Sequence, residues 1–244
     1  MDSLKERTAL ITGASSGVGR AIALELAALG ALVLLVARDP QKLRSVSEEI
    51  KTSGGAAHQW SVDVTSDEAL QAFTTEIRRD FAGLDFLIHS AGVFRMEPMA
   101  SASVTDFDAL YRCNVRAPFV LTQALLPLVI ARSGAIVFIN STAGVKTHAN
   151  VGQYAATKHA LKAIADTLRL ELNSHNVRVL SVMLGRTATP MQEEVCRLEG
   201  SVYDANKFLQ PPEVARAVVN ALTLPATAEV TDLSLRPIHK STGK

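Results

Sequence analysis

Thr12-Gly13-Ala14-Ser15-Ser16-Gly17-Val18-Gly19 is the stretch that decides how this chain folds. An apolar run, Thr8–Thr12, precedes it, and an amphipathic stretch near 17–29 follows. Strand, glycine-rich turn and helix in that order open a βαβ unit. Glycines let a backbone turn tightly and approach a pyrophosphate, while the helix N-terminus supplies N–H donors and positive potential. Gly13, Gly17 and Gly19 therefore form a candidate phosphate cradle, spaced T-G-x-x-x-G-x-G rather than the more usual G-x-G-x-x-G. A plain tight βα turn is the competing reading.

Working outward, the same alternation recurs along the chain. Apolar runs lie at 8–12, 31–37, 57–62, 86–90, 135–140, 177–183 and 230–235, with helical periodicity near 17–29, 40–53, 66–80, 104–131, 152–174 and 212–222. Several runs are continuously apolar, as strands covered on both faces are. The expectation is an α/β chain: one doubly wound, Rossmann-type domain over 1–244, its seven-stranded sheet mostly parallel with helices on both faces. Such sheets bind ligands beyond the carboxyl ends of their strands. The segment 190–209 breaks the rhythm and reads as a substrate lid or a surface helix pair.

Composition narrows the function. The 244 residues are 48% hydrophobic and 20% charged, with 25 Lys+Arg against 24 Asp+Glu. That balance argues against nucleic acid as a partner. The N-terminus shows no signal peptide, and 21–37, the most apolar stretch, is interrupted by Glu25 and Gly30, so no membrane span is expected. The two cysteines, Cys113 and Cys196, form no metal or redox motif. No metal is expected, and a reducing cytoplasm fits best. The tail from Ile238 to Lys244 is polar, and disorder is its default.

Three further features carry chemistry. Arg38 directly follows the second apolar run, where dinucleotide folds hold the adenosine ribose. A guanidinium pairs bidentately with phosphate, which favours NADP(H), with NAD(H) as the alternative. Helix capping or pairing with Asp39 is the bland reading of Arg38. Tyr154 and Lys158 stand at i and i+4 on one helix. A nearby ammonium is expected to lower the phenol's pKa and make it a general acid or base. Ser141 ends the fifth run, where a hydroxyl can bond a substrate oxygen. Asn114, inside the long helix before it, points to a specific hydrogen-bond role.

Together these motifs resemble the classical short-chain dehydrogenase/reductase family over nearly the whole chain, from Thr8 to about Leu235. Asp63-Val64, Ala91-Gly92 and the tetrad Asn114, Ser141, Tyr154 and Lys158 complete the likeness. The resemblance implies that Tyr154 exchanges the proton, Ser141 positions the carbonyl, and Lys158 holds the nicotinamide ribose. It implies that Asn114 supports a water relay to Lys158. Ser15, Ser16 and Val18 are implied around the phosphates and ribose, and Asp63 and Val64 around the adenine. A homotetramer or homodimer is implied as well.

Three stretches depart from the family pattern. His89-Ser90-Ala91-Gly92 replaces Asn-Asn-Ala-Gly, and His89 reads as a structural partner rather than a base. Leu184-Gly185 replaces Pro-Gly, with Gly185 kept and Thr187 and Thr189 in reach of a carboxamide and phosphates. The end 233–237 lacks Asp-Gly-Gly. The expected activity is hydride transfer between nicotinamide and a small-molecule carbonyl or secondary alcohol. The alternative is an NADP(H)-binding sensor without turnover. Phe94, Met96, Val145, Val151, Met183, Met191 and Tyr203 are expected to border the substrate.

Overall fold

The computed structural model describes residues 4–238, so most of the polar tail named above lies outside the described residues. Seven strands, β1 (Thr8–Thr12), β2 (Leu32–Ala37), β3 (Ala56–Ser61), β4 (Phe86–His89), β5 (Ala135–Ser141), β6 (Arg178–Leu184) and β7 (Asp232–Leu235), form one sheet. Their order is β3-β2-β1-β4-β5-β6-β7, and each of the six pairings is parallel. The chain builds outward from β1 to one edge, returns, and builds to the other. That reversal opens a crevice beyond Thr12 and His89, which are register partners.

The helices bury both faces. On one face α1 (Gly17–Ala28), α2 (Pro40–Thr52) and α8 (Pro211–Leu222) cover Ile11, Val33, Leu35, Ile88 and Val137. On the other, α3 (Asp67–Asp80), α5 (Ala117–Ile130) and α6 (Gly152–Leu172) cover Leu10, Leu34, Leu87 and Phe138. Buried Leu161, Ala165 and Leu172, with half-buried Ile164 and Leu168, form the apolar stripe of α6. Local chemistry fixes the helix starts: Asp39, Ser66 and Ser103 accept from first-turn N–H groups of α2, α3 and α4 (Val104–Tyr111).

Two elements differ from the sequence expectation. The helix read over 104–131 is interrupted by a π-helical turn, Arg112–Arg116, between α4 and α5. Pro118 lacks the N–H that would bond the Asn114 carbonyl in an α-helix, and the Ala117 N–H reaches back to the Arg112 carbonyl instead. The segment 190–209 holds helix α7 (Pro190–Leu198) and a 3₁₀ turn, Ala205–Lys207. Its two ends are pinned together, the Ala188 N–H to the Leu209 carbonyl at 2.7 Å and the Leu209 N–H to the Arg186 carbonyl at 3.0 Å. Among the described residues one helix, Val104–Ile130, is long and apolar enough to cross a membrane, and 50% of its most apolar window is buried; 21–37 divides between α1 and β2. Both cysteines are free and buried.

Asp85 ties the two central strands at their amino ends. Its carboxylate, 3% exposed, accepts from Arg7 Nη1 at 2.6 Å and from the Thr8 N–H at 2.9 Å. Asp85→Ala is expected to destabilise the fold by about 1–3 kcal/mol. Urea denaturation at neutral pH reads this directly, and an unchanged midpoint would show the tie to be idle.

Candidate active site

The glycine turn packs against the end of β4. Gly13 has φ +68°, and a Cβ there would lie 2.8 Å from the Ala91 nitrogen. A Cβ on Gly19 would overlap the Gly13 carbonyl oxygen, so only hydrogen lets α1 approach the turn. Thr12 locks the neighbouring strand end: its hydroxyl accepts from the N–H groups of Ser90 at 3.1 Å and Ala91 at 3.2 Å. No family-type amide stands at Ser90, and a threonine from β1 does the joining. Ser16 sits at the N-cap of α1 without capping it, and the first turn holds no acid. The donors of this helix end are thus left for a ligand, unlike those of α2, α3 and α4. An uncapped helix end and a turn that tolerates no Cβ fit a dinucleotide's phosphates.

Arg38 is exposed at the end of β2. Asp39 caps α2 by accepting from the Gln41 and Lys42 N–H groups, and it faces Lys42 at 3.8 Å. The pairing of Arg38 with Asp39 is therefore not what the structure holds. Asp63 accepts from the N–H and hydroxyl of Thr65, which keep its carboxyl below the usual range, with a smaller pull from Arg38. Val64 beside it is buried. Gly185 is turned toward the C-terminal segment, its N–H on the Leu235 carbonyl. The Thr187 and Thr189 hydroxyls donate locally, to the carbonyls of Gly185 and Thr187, and Thr189 also caps α7. Thr189 nevertheless meets the cradle, since a Cβ on Gly17 would lie 3.1 Å from its methyl carbon.

Asn114, Ser141, Tyr154 and Lys158 converge at the carboxyl ends of β4 and β5. The π turn aims Asn114 inward, where its Oδ1 accepts from the Val93 N–H at 2.9 Å. Its Nδ2 donates to the Val93 carbonyl at 3.0 Å and to Thr157 Oγ1 at 3.1 Å. Thr157 in turn donates to the Tyr154 carbonyl at 2.7 Å. A Cβ on Gly92 would sit 3.4 Å from Asn114 Oδ1 and 3.9 Å from Lys158 Nζ, so Gly92 lies between the two. The Ser141 side chain faces the Tyr154 hydroxyl, and Phe94 packs edge-on against the Tyr154 ring with centroids 4.9 Å apart. Of the expected border residues, Met183 is buried, Val145 is exposed, and Tyr203 packs at a tilt against Phe208.

The titration of the pair corrects the sequence expectation. Burial pushes the Tyr154 phenol up to about 12, and the neighbouring Ser141 hydroxyl only partly opposes this. Burial also lowers Lys158 to about 8. Its Nζ donates to the Ile139 carbonyl at 3.2 Å and stands 5.7 Å from the phenol ring centre. Desolvation penalises both charged forms and outweighs the attraction expected between them. His89 is neutral, lowered to about 3 by burial; it lies stacked on Phe138, with Nε2 2.9 Å from the Thr122 hydroxyl. That is a structural partner, as its position in the sequence indicated.

Sequence reading missed Thr12, Thr157 and Asn140. Each is a buried polar residue in an otherwise apolar surrounding, and that contrast was the available signal.

Comparison with known proteins agrees with this geometry. The family model described as short chain dehydrogenase matches residues 7–199. An uncharacterised oxidoreductase of Staphylococcus epidermidis is 32% identical over 239 residues, covering 98% of this chain and 100% of the relative. A metagenomic short-chain oxidoreductase crystallised with NADP is 33% identical with a TM-score of 0.84, covering 98% of this chain and 100% of that one. An alcohol dehydrogenase of Thermococcus sibiricus, complexed with 5-hydroxy-NADP, is 25% identical with a TM-score of 0.88, covering 98% and 99%.

The buried amine predicts a pH signature. Between pH of about 8 and about 10.4 the unfolded Lys158 holds a proton that the folded one has lost, so stability rises with pH across that window. Below it the folded lysine is charged and carries the whole penalty. Lys158→Met is therefore expected to stabilise the ligand-free protein by about 1–3 kcal/mol at pH 7. The advantage shrinks toward pH 10. Denaturant midpoints at the two pH values measure it; a variant less stable than wild type at pH 7 would contradict the penalty.

Proposed function

This chain belongs to the short-chain dehydrogenase/reductase family, and from that premise we propose that it is an NADP(H)-dependent oxidoreductase acting on a carbonyl or secondary alcohol. The observation that carries the reading is the hydroxyl pair of Ser141 and Tyr154, set beside Lys158 at the mouth of a turn that tolerates no Cβ. The dinucleotide supplies the hydride when bound. Gly13, Ser15, Ser16, Gly17, Val18 and Gly19 would hold its phosphates, Arg38 its 2′-phosphate, and Asp63 and Val64 its adenine. Ala91, Gly92 and Lys158 would line the ribose side, with Gly185, Thr187 and Thr189 toward the carboxamide. Support for NADP(H) comes from Arg38, for which no ion pair or side-chain hydrogen bond is seen among the described residues, and from the NADP-bound relatives.

In this reading Tyr154 gives its proton to the carbonyl oxygen, and the Ser141 hydroxyl bonds the same oxygen as charge develops. A phenol held near 12 is fully protonated at neutral pH, the form that reduction needs. Asn114 acts by fixing Val93 and, through Thr157, the turn that carries Tyr154. The whole chain works as one cofactor-binding and catalytic unit. The segment 190–209 serves as its lid, over an apolar mouth that includes Phe94 and the exposed Met99.

Two measurements test this. Arg38→Asp is expected to cut the preference for NADPH over NADH at least about tenfold in kcat/KM, and an unchanged ratio rejects the 2′-phosphate role. Tyr154→Phe is expected to lower reduction at least about 100-fold while NADPH still binds. In the wild type, reduction should be level across pH 6–8 and alcohol oxidation should climb with pH, because oxidation requires the phenolate. Full activity in the Tyr154 variant would mean that another group moves the proton.

A further inference from the structure

The last three residues of β5 each touch the turn of α6 that carries Tyr154 and Lys158. Ile139 offers its carbonyl to Lys158 Nζ, and the Ser141 side chain faces the Tyr154 hydroxyl. Asn140, between them, does something different. It is 3% exposed and faces α6, as Ile136 and Phe138 do on the same strand. Its Oδ1 accepts from the Ser141 N–H at 2.8 Å, and its Nδ2 donates to the Lys158 carbonyl at 3.1 Å. Both partners are main-chain atoms of residues in the proposed reaction, on two separate elements.

We propose that Asn140 is a positioning residue, an amide that sets the distance between the Ser141 hydroxyl and the Tyr154–Lys158 turn. The proposal rests on the oxidoreductase reading. The surroundings are built around the amide. A Cβ on Gly144 would lie 3.0 Å from Asn140 Oδ1 and 2.8 Å from the Lys158 carbonyl oxygen, so the 3₁₀ turn Thr142–Gly144 closes over this bridge only because residue 144 has no side chain. Ser141 is thereby held twice, its N–H by Asn140 and its hydroxyl oxygen by the Ala143 N–H at 3.1 Å. The Tyr154 hydroxyl stands beside this doubly held serine. Asn140 has no route to a substrate of its own; both ends of its amide are engaged within the protein. Its effect is geometric, and displacement of reacting groups by an ångström costs on the order of 100-fold in rate.

The test compares wild type with Asn140→Ala and with Asn140→Asp, which keeps the acceptor for Ser141 but loses the donor to Lys158. Readouts are kcat and KM with an accepted carbonyl, NADPH affinity from cofactor fluorescence, and melting temperature. Asn140→Ala is expected to lose at least about tenfold in kcat, with KM and NADPH affinity within about threefold of wild type, and Asn140→Asp to fall between. In single turnovers, adding Ser141→Ala to Asn140→Ala should cost less than the two separate losses combined, because the amide acts through that serine. Full kcat in both variants overturns the proposal. So does a parallel loss of melting temperature, NADPH affinity and kcat, which would mark the amide as a general core bond. A wild-type protein inactive on every carbonyl and alcohol tried sinks the functional reading itself, whereas an active wild type with unaffected variants sinks only the role of Asn140.

Discussion

An amine removed from water beside a phenol removed from water is the constraint around which this molecule is arranged. Lys158 is 5% exposed and Tyr154 8% exposed. Neither charged form is comfortable there, and the fold answers with main-chain groups rather than carboxylates. The Ile139 carbonyl receives the ammonium, and no carboxylate pairs with it among the described residues. A carboxylate partner would have fixed the lysine as a permanent cation. A neutral carbonyl leaves its affinity for a proton low, so a ligand arriving in the crevice meets a donor whose charge is weakly compensated. Burial holds the phenol in its acid form in the same way.

That arrangement needs the strand ends and α6 to keep their spacing, and the sheet's topology supplies it. The crevice opens where the strand order reverses between β1 and β4, so β4 and β5 end beside the glycine turn. Thr12 grips the end of β4 from one side, and Asn114 grips the loop beyond it from the other. Gly13 lets Ala91 come close, and Gly92 leaves room between Asn114 and Lys158. The proposed cofactor site and the proton-transfer site thus share a wall two residues thick, Ala91-Gly92.

How much of this was legible in the sequence follows from what each signal encodes. Continuous apolar runs encode burial on both faces, so the strands and the parallel sheet were readable. The helix starts, such as that at Pro40, were likewise local. Asn114, Ser141, Tyr154 and Lys158 were found by their spacing and their likeness to a family, and the structure brings them together. The π turn was not readable, because the missing N–H of Pro118 looks like that of an ordinary first-turn proline. The direction of the Tyr154 shift was misread for a related reason: spacing along a helix tells which groups are neighbours, not how much water they have lost.

The departures from the family pattern gain sense on the same physical ground. The sheet face toward α5 and α6 carries a row of register partners, Thr12, His89, Phe138 and Ser181. An amide at position 89 would need partners on both ends in this apolar layer. Histidine instead stacks on Phe138 and satisfies one nitrogen on Thr122, leaving Nδ1 without a partner. A buried imidazole tolerates that better than a charge would, and it stays neutral. The joining of β1 to β4 then falls to Thr12, and an amide appears one strand further on, at Asn140. The same problem, holding loops at the carboxyl edge with few buried polar groups, is solved here by a different set of side chains at the same depth in the sheet.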